Sequence, residues 1–72
     1  MGESWSKSVF SSMAQEIAYD ADNEEMIVTW ANGRRSAYSG VPEDLAISIS
    51  KAPSVGQALN SEIKNQFPHR YV

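Results

Sequence analysis

The dipeptide Asn32-Gly33 constrains the fold of this chain more than any other feature of its sequence. In the segment before it, Met26, Val28 and Trp30 alternate with lighter side chains, as in a strand that has one heavy face. The Asn-Gly pair tolerates the positive φ angles of a type I′ turn, which makes it a strong hairpin signal. We therefore predict that the strand turns back here and returns antiparallel over residues 34–39.

An earlier strand is predicted over residues 12–19. Ile17 and Tyr19 alternate there with polar or smaller neighbours, and an acidic run over residues 20–24 then interrupts the alternation as a turn would. Together the strands form a three-stranded antiparallel meander. We assign residues 1–10 to a partly flexible N-terminal segment and residues 11–72 to a single domain.

The second half of the chain changes character at Pro42. Proline is favoured at a helix start, where its missing N–H is not needed, and the acidic residues 43–44 complement the helix dipole. Apolar residues then recur at helical spacing at Leu45, Ile49 and Ala52. The same segment also alternates as a strand would, at Leu45, Ile47 and Ile49. Pro53 ends the element in either case.

A second helix is predicted from Ser54 to about Asn65. Ser54 and Gln57 form a capping-box pattern, in which the serine accepts a hydrogen bond from the backbone N–H of Gln57. An apolar stripe follows at Val55, Leu59 and Ile63. The predicted fold class is α+β, with a three-stranded antiparallel β-meander followed by two α-helices packed on one face of the sheet.

Several of these residues recur in one order and spacing that resembles a known family. They are Ser11-Ser12, Ile17-x-Tyr19-Asp20, Met26-x-Val28-x-Trp30, Gly33, Tyr38, Val41-Pro42, Ala52-x-Ser54-x-Gly56, Leu59-Asn60-x-x-Ile63 and Phe67-Pro68. The sequence resembles the KTSC domain, which occurs at the C-terminus of some lysyl-tRNA synthetases and as a stand-alone protein in bacteria and phages. That family is described as having no established function, with RNA binding suggested.

Two positions depart from the family pattern. The first tyrosine of a central Y-x-Y pair falls on Ser36 in this chain, so that only the second, Tyr38, is present. Ala14 stands where a larger apolar residue is usual. A binding role that requires both tyrosines would therefore not carry over to this chain.

The residue types present argue against catalysis and against a bound metal. The single histidine, His69, lies in the tail, cysteine is absent, and the acidic residues cluster around one turn. Residues 20–24 begin like a calcium loop, but Glu25 and Ala31 stand where that loop needs glycine and a bidentate glutamate. We predict that the protein is not an enzyme and has no catalytic residues, metal or cofactor.

Charge is distributed unevenly along the chain, whose net charge is −3. Residues 1–25 hold one basic and six acidic side chains, whereas residues 26–72 hold five basic and three acidic ones. The total argues against nonspecific nucleic-acid binding, but the distribution leaves local binding open. The sequence has neither the roughly 20-residue apolar run of a membrane span nor a signal peptide. We therefore expect a cytoplasmic protein without a membrane partner.

The candidate binding residues lie at the hairpin tip and in the tail: Arg34, Arg35, Tyr38, Arg70 and Tyr71. Strand alternation places Arg34 and Tyr38 on one face of the sheet and Arg35 on the other. The two arginines would then straddle a phosphate-bearing or acidic partner. Two alternatives are that Trp30 and Tyr38 are core residues, and that the arginines only solubilise the tip or pair loosely with the acidic turn.

From these residues and the family resemblance, we predict a non-catalytic binding module for RNA or a nucleotide. The alternative is a small homo-oligomeric protein of phage type that binds a host protein or sequesters a small ligand between subunits. We expect self-association because 72 residues without a disulfide or a metal bury only a small core.

Overall fold

The computed structural model describes residues 4–9, 11–64 and 66–72. Five antiparallel strands lie side by side in chain order, and two helical segments connect the fourth strand to the fifth. The strands are β1 Trp5–Ser8, β2 Ala14–Asp20, β3 Glu25–Trp30, β4 Arg35–Ser39 and β5 His69–Tyr71. The helices are α1 Glu43–Ser50 and α2 Val55–Ala58, and α2 continues into a π-helical turn at Leu59–Ile63.

The predicted α+β class and the two helices are confirmed, whereas the predicted number of three strands is wrong. The sheet gains β1 and β5, one at each edge. β1 consists of Trp-Ser-Lys-Ser, with polar side chains on both faces, and Lys7 pairs with Ile17 of β2. β5 has three exposed residues and pairs His69 with Tyr38 of β4. Such short polar edge strands owe their conformation to pairing rather than to side-chain alternation, so the sequence pattern does not indicate them.

The predicted hairpin between β3 and β4 is present, but its turn is not type I′. A type I′ turn needs positive φ at both central residues, and within this loop only Gly33 has it, at 91°. The Gly33 N–H donates to the Trp30 carbonyl at 2.9 Å, and the Trp30 N–H donates to the Arg34 carbonyl at 2.7 Å. These bonds close a longer loop in which only the glycine adopts the left-handed conformation.

One face of the sheet packs against the helices in a single core cluster. From the sheet it includes Ile17, Tyr19, Met26, Val28 and Tyr38. From the helices it includes Ala46, Ile49, Val55, Leu59 and Ile63. The predicted apolar stripe of the second helix is therefore buried. The Ser54 cap is confirmed as well, because its Oγ accepts from the Gln57 N–H at 3.4 Å.

The helix rather than the strand alternative holds for residues 43–50, which form α1. Trp5 of β1 contacts the start of this helix, since its indole N–H donates to Glu43 Oε2 at 3.0 Å. The predicted end of the second helix, Asn65, lies outside the described residues. Neither helix in the described part of the chain has the length and apolar character needed to cross a membrane.

Candidate functional site

A groove opens beside the β3–β4 hairpin, at the corner of the sheet where β5 is added. Its volume is about 350 Å³, and it is lined by Trp30, Asn32, Arg34, Ser36, Tyr38, Lys64, His69 and Tyr71. Strand pairing explains how distant parts of the chain meet here, because Tyr38 lies opposite His69 and Ser36 lies opposite Tyr71. Side chains opposite one another in a ladder share one face of the sheet.

Four aromatic rings contribute to the walls of this groove. The ring centres of Tyr38 and His69 are 5.3 Å apart with a tilt of 32°, and those of His69 and Tyr71 are 5.9 Å apart, edge to face. The fourth ring, that of Trp30, donates its indole N–H to Ser36 Oγ at 2.9 Å. Burial raises the pKa of Tyr38, and the nearby Tyr71 raises it further, so Tyr38 stays neutral at physiological pH.

Two cationic side chains lie over these rings. The Lys64 Nζ is 5.1 Å from the centre of the Trp30 ring, and the Arg34 guanidinium is 5.9 Å from the centre of the Tyr71 ring. Both distances lie within the range in which an aromatic face attracts a cation. None of the eight lining residues is acidic. The groove therefore combines positive charge with exposed aromatic surface.

The acidic turn over residues 21–24 lies at the opposite end of β3 from the hairpin loop. A strand of six residues is roughly 20 Å long. Arg34 and Arg35 are consequently too far from that turn to form ion pairs with it. The predicted alternative of loose pairing with the acidic turn is thus wrong, and the hairpin carries Arg34 and Arg35 at one end and the acidic turn at the other.

The π-helical turn positions Lys64 at the groove. The Lys64 N–H donates to the Leu59 carbonyl at 2.9 Å, a bond that spans five residues instead of the four of an α-helix. With this wider turn, Leu59 and Ile63 are both fully buried. Lys64 then follows at the helix end, beside Trp30. Such π-helical turns are frequent at functional sites.

The structure brings three of the five predicted binding residues into the groove: Arg34, Tyr38 and Tyr71. Tyr38 belongs to the core as well, with 3% of its surface exposed. Arg35 lines a neighbouring hollow beside the hairpin loop. Arg70 lies on the other face of the sheet, because strand alternation turns it away from its neighbours His69 and Tyr71.

Arg70 is engaged in an ion pair on that opposite face. Its two terminal nitrogens donate to both carboxylate oxygens of Glu25, and the Ser39 hydroxyl donates to the same carboxylate at 3.3 Å. The guanidinium lowers the pKa of Glu25. Glu25 and Arg70 form the only ion pair among the described residues, and this pairing separates Arg70 from the groove.

Five of the eight groove residues are not among the predicted binding residues: Trp30, Asn32, Ser36, Lys64 and His69. Three of these, Trp30, His69 and Lys64, supply aromatic or charged groups, and each is missed for a different reason. The alternation of β3 places Trp30 on the core face of the strand, but in the structure its side chain is partly exposed beside Lys64. His69 is assigned to the tail because no sequence pattern predicts that its segment forms strand β5. No periodicity predicts the π-helical turn that places Lys64. Within the described parts of the chain, no group of three or more His, Asp or Glu side chains could hold a metal ion.

Comparison with known proteins shows which family this chain is similar to. The model of the KTSC domain family matches residues 10–67. The chain is also similar to the crystal structure of a KTSC domain protein from Yersinia pestis, with a TM-score of 0.90 and 28% sequence identity. That similarity covers 97% of this chain and 99% of the other. No curated protein matches the chain in sequence.

Proposed function

This chain belongs to the KTSC domain family, and we propose that it is a non-catalytic binding module that takes a nucleotide unit of single-stranded RNA in its groove. One observation supports this function above the others. The cations of Lys64 and Arg34 lie over the rings of Trp30 and Tyr71, around a groove without an acidic lining residue.

The chemistry of the groove suits the two parts of a nucleotide. Bases stack on aromatic side chains with little regard to sequence, at about 1–3 kcal/mol per base, and basic side chains neutralise the phosphates. A volume of about 350 Å³ falls at the small end of ligand sites, which supports one nucleotide rather than a duplex. A base can enter such a groove only when it is unpaired, so we propose a single-stranded ligand.

The distribution of charge supports RNA binding despite the net charge of −3. The groove and the hairpin loop carry Arg34, Arg35 and Lys64 at one end of β3, and the acidic turn lies at its other end. An approaching polyanion is attracted to the first end and repelled by the second. This separation orients the encounter without a basic excess over the whole chain.

The neighbours of His69 support a role in holding the ligand rather than in cleaving it. Its ring contacts are with Tyr38 and Tyr71, and the groove lining contains no carboxylate that could orient it as a general base. Tyr38 is a poor base because burial raises its pKa and keeps it protonated. We therefore propose that bound RNA remains intact.

Fluorescence anisotropy with a labelled oligouridylate decamer tests this function. We expect salt-sensitive binding by the parent protein and weaker binding by Lys64→Ala and Tyr71→Ala. Loss of one base-stacking side chain should weaken binding by about 1–3 kcal/mol. Tyr71 is 66% exposed, so its replacement should leave the fold intact. Gel analysis of the RNA after incubation checks that the decamer is not cut.

The matched control is Lys51→Ala, which removes the same charge from an exposed position at the end of α1, outside the groove. We expect this variant to bind as the parent does. The proposal fails if the parent protein binds no RNA at low salt, in which case the homo-oligomeric alternative takes its place. It also fails if Lys64→Ala and Tyr71→Ala bind as tightly as Lys51→Ala.

A further inference from the structure

A second hollow adjoins the groove at the hairpin tip. It has a volume of about 310 Å³ and is lined by Gly33, Arg34, Arg35, Tyr71 and Val72. It shares two lining residues with the groove, Arg34 and Tyr71. These two side chains therefore form a ridge between two spaces of similar volume.

The ridge consists of groups on which nucleobases stack. The Arg34 guanidinium lies 5.9 Å from the centre of the Tyr71 ring, and 66% of the Tyr71 surface is exposed. Aromatic rings and guanidinium planes are the two side-chain surfaces that hold unpaired RNA bases. Bases on either side of the ridge can thus use the same pair of residues.

Each space also has a cation of its own. Lys64 lines the groove only, and Arg35 lines the second hollow only. Neither lining contains an acidic side chain. The two cations thus belong to different spaces, and Arg34 lines both of them.

We propose that the groove and the second hollow are two adjacent nucleotide sites, and that the RNA strand crosses the Arg34–Tyr71 ridge between them. This inference rests on the proposed function and adds the length of the minimal ligand to it. A mononucleotide fills the groove alone, whereas a dinucleotide fills the groove and the second hollow. Arg35 then contributes only when a second nucleotide is present.

Competition against the labelled decamer tests the number of sites. The competitors are uridine 5′-monophosphate and the 5′-phosphorylated dinucleotide pUpU. We expect pUpU to compete at least about fivefold more strongly than the mononucleotide, because a second stacked base adds about 1–3 kcal/mol. In direct titrations, Arg35→Ala should weaken binding of pUpU and of the decamer and leave mononucleotide binding unchanged. Lys64→Ala should weaken binding of all three.

The matched control for Arg35→Ala is Lys7→Ala, a loss of one exposed charge on β1, at the far edge of the sheet. If the mononucleotide competes as well as pUpU, or if Arg35→Ala behaves as Lys7→Ala does, the two-site inference is wrong. If decamer binding still depends on Lys64, only the two-site inference is given up, and the proposed RNA-binding function is retained. If the parent protein binds none of the three probes, both proposals are overturned.

Discussion

The indole N–H of Trp30 donates a hydrogen bond of 2.9 Å to the Oγ of Ser36 in the neighbouring strand. Ser36 is the position at which the family resemblance predicts the first tyrosine of a Y-x-Y pair, and only 2% of its surface is exposed. Because both residues line the groove, this bond holds the indole in place at the groove wall.

We expect Ser36→Ala to lower the free energy of unfolding by about 0.5–1.5 kcal/mol, the usual net value of one hydrogen bond. Urea unfolding of the variant and the parent measures this loss. Ser48→Ala is the control, since Ser48 is exposed on α1 and alanine suits a helix. Equal stability of Ser36→Ala and the parent would show that the bond to Trp30 does not stabilise the fold.

Truncation of the helix stripe should be much more costly. Leu59 and Ile63 are fully buried, and we expect Leu59→Ala or Ile63→Ala to cost roughly 2–4 kcal/mol because each leaves a cavity in the core. Ile47→Ala is a matched control, since Ile47 lies on α1 with 36% of its surface exposed. Urea unfolding should separate the core variants clearly from this control. A loss below about 0.5 kcal/mol in the core variants would contradict the packing of the stripe.

The parts of the fold that the sequence predicts are those in which the local pattern and the tertiary contacts agree. The heavy face of β3 and the stripe of the second helix show their burial in their periodicity, and Ser54 shows the cap it forms. The sequences of β1 and β5 have no such periodicity, because these two strands form only by pairing with a neighbouring strand. The predicted flexible segment of residues 1–10 includes β1 for this reason.

The candidate site is predictable to the extent that it lies on the hairpin. Alternation correctly places Arg34 and Tyr38 on one face of the sheet. The other half of the groove comes from β5 and from the end of the π-helical turn, and neither element has a signal in its own residues. Arg70 looks equivalent to Tyr71 in the tail, but strand alternation takes it to the opposite face and to Glu25.

The ion pair of Glu25 with Arg70 should make stability depend on pH. Arg70 lowers the pKa of Glu25 in the folded state, so this stabilisation is present above the pKa of an unfolded glutamate and is lost as the pH falls through the lowered value. We expect Arg70→Ala to be less stable than the parent at neutral pH, and the difference to shrink in acid. Urea unfolding at several pH values measures it.

Arg35→Ala is the control for this pH effect, because Arg35 is exposed and outside the pair. Its difference in stability from the parent should not change systematically with pH. An NMR titration of the Glu25 carboxyl group adds a direct measurement. If its pKa is the same in Arg70→Ala as in the parent, the guanidinium does not lower it in solution.

Self-association remains a prediction from the small size of the core. We expect a dimer or a larger assembly in sedimentation velocity experiments at micromolar concentrations. A monomeric mass over that whole range would remove this prediction and leave the RNA proposal untouched.

The last prediction concerns the salt dependence of RNA binding by the hairpin arginines. Arg34 lies on the ridge beside Tyr71, Arg35 lines the hollow beyond it, and neither reaches the acidic turn at the other end of β3. Both are therefore available to phosphates. For a single strand, removing one cation that neutralises a phosphate should reduce the slope of log K against log salt by about 0.7.

The double variant Arg34→Ala with Arg35→Ala should consequently bind the decamer more weakly, with a slope reduced by about 1.4. Its control is the double variant Lys7→Ala with Lys51→Ala, which changes the net charge equally at exposed positions outside both binding spaces. A slope reduced equally in both variants would mean that only the net charge matters. A slope in the arginine variant equal to that of the parent would place the phosphates elsewhere on the protein. Only a reduction specific to the arginine variant agrees with an RNA strand that crosses the hairpin tip.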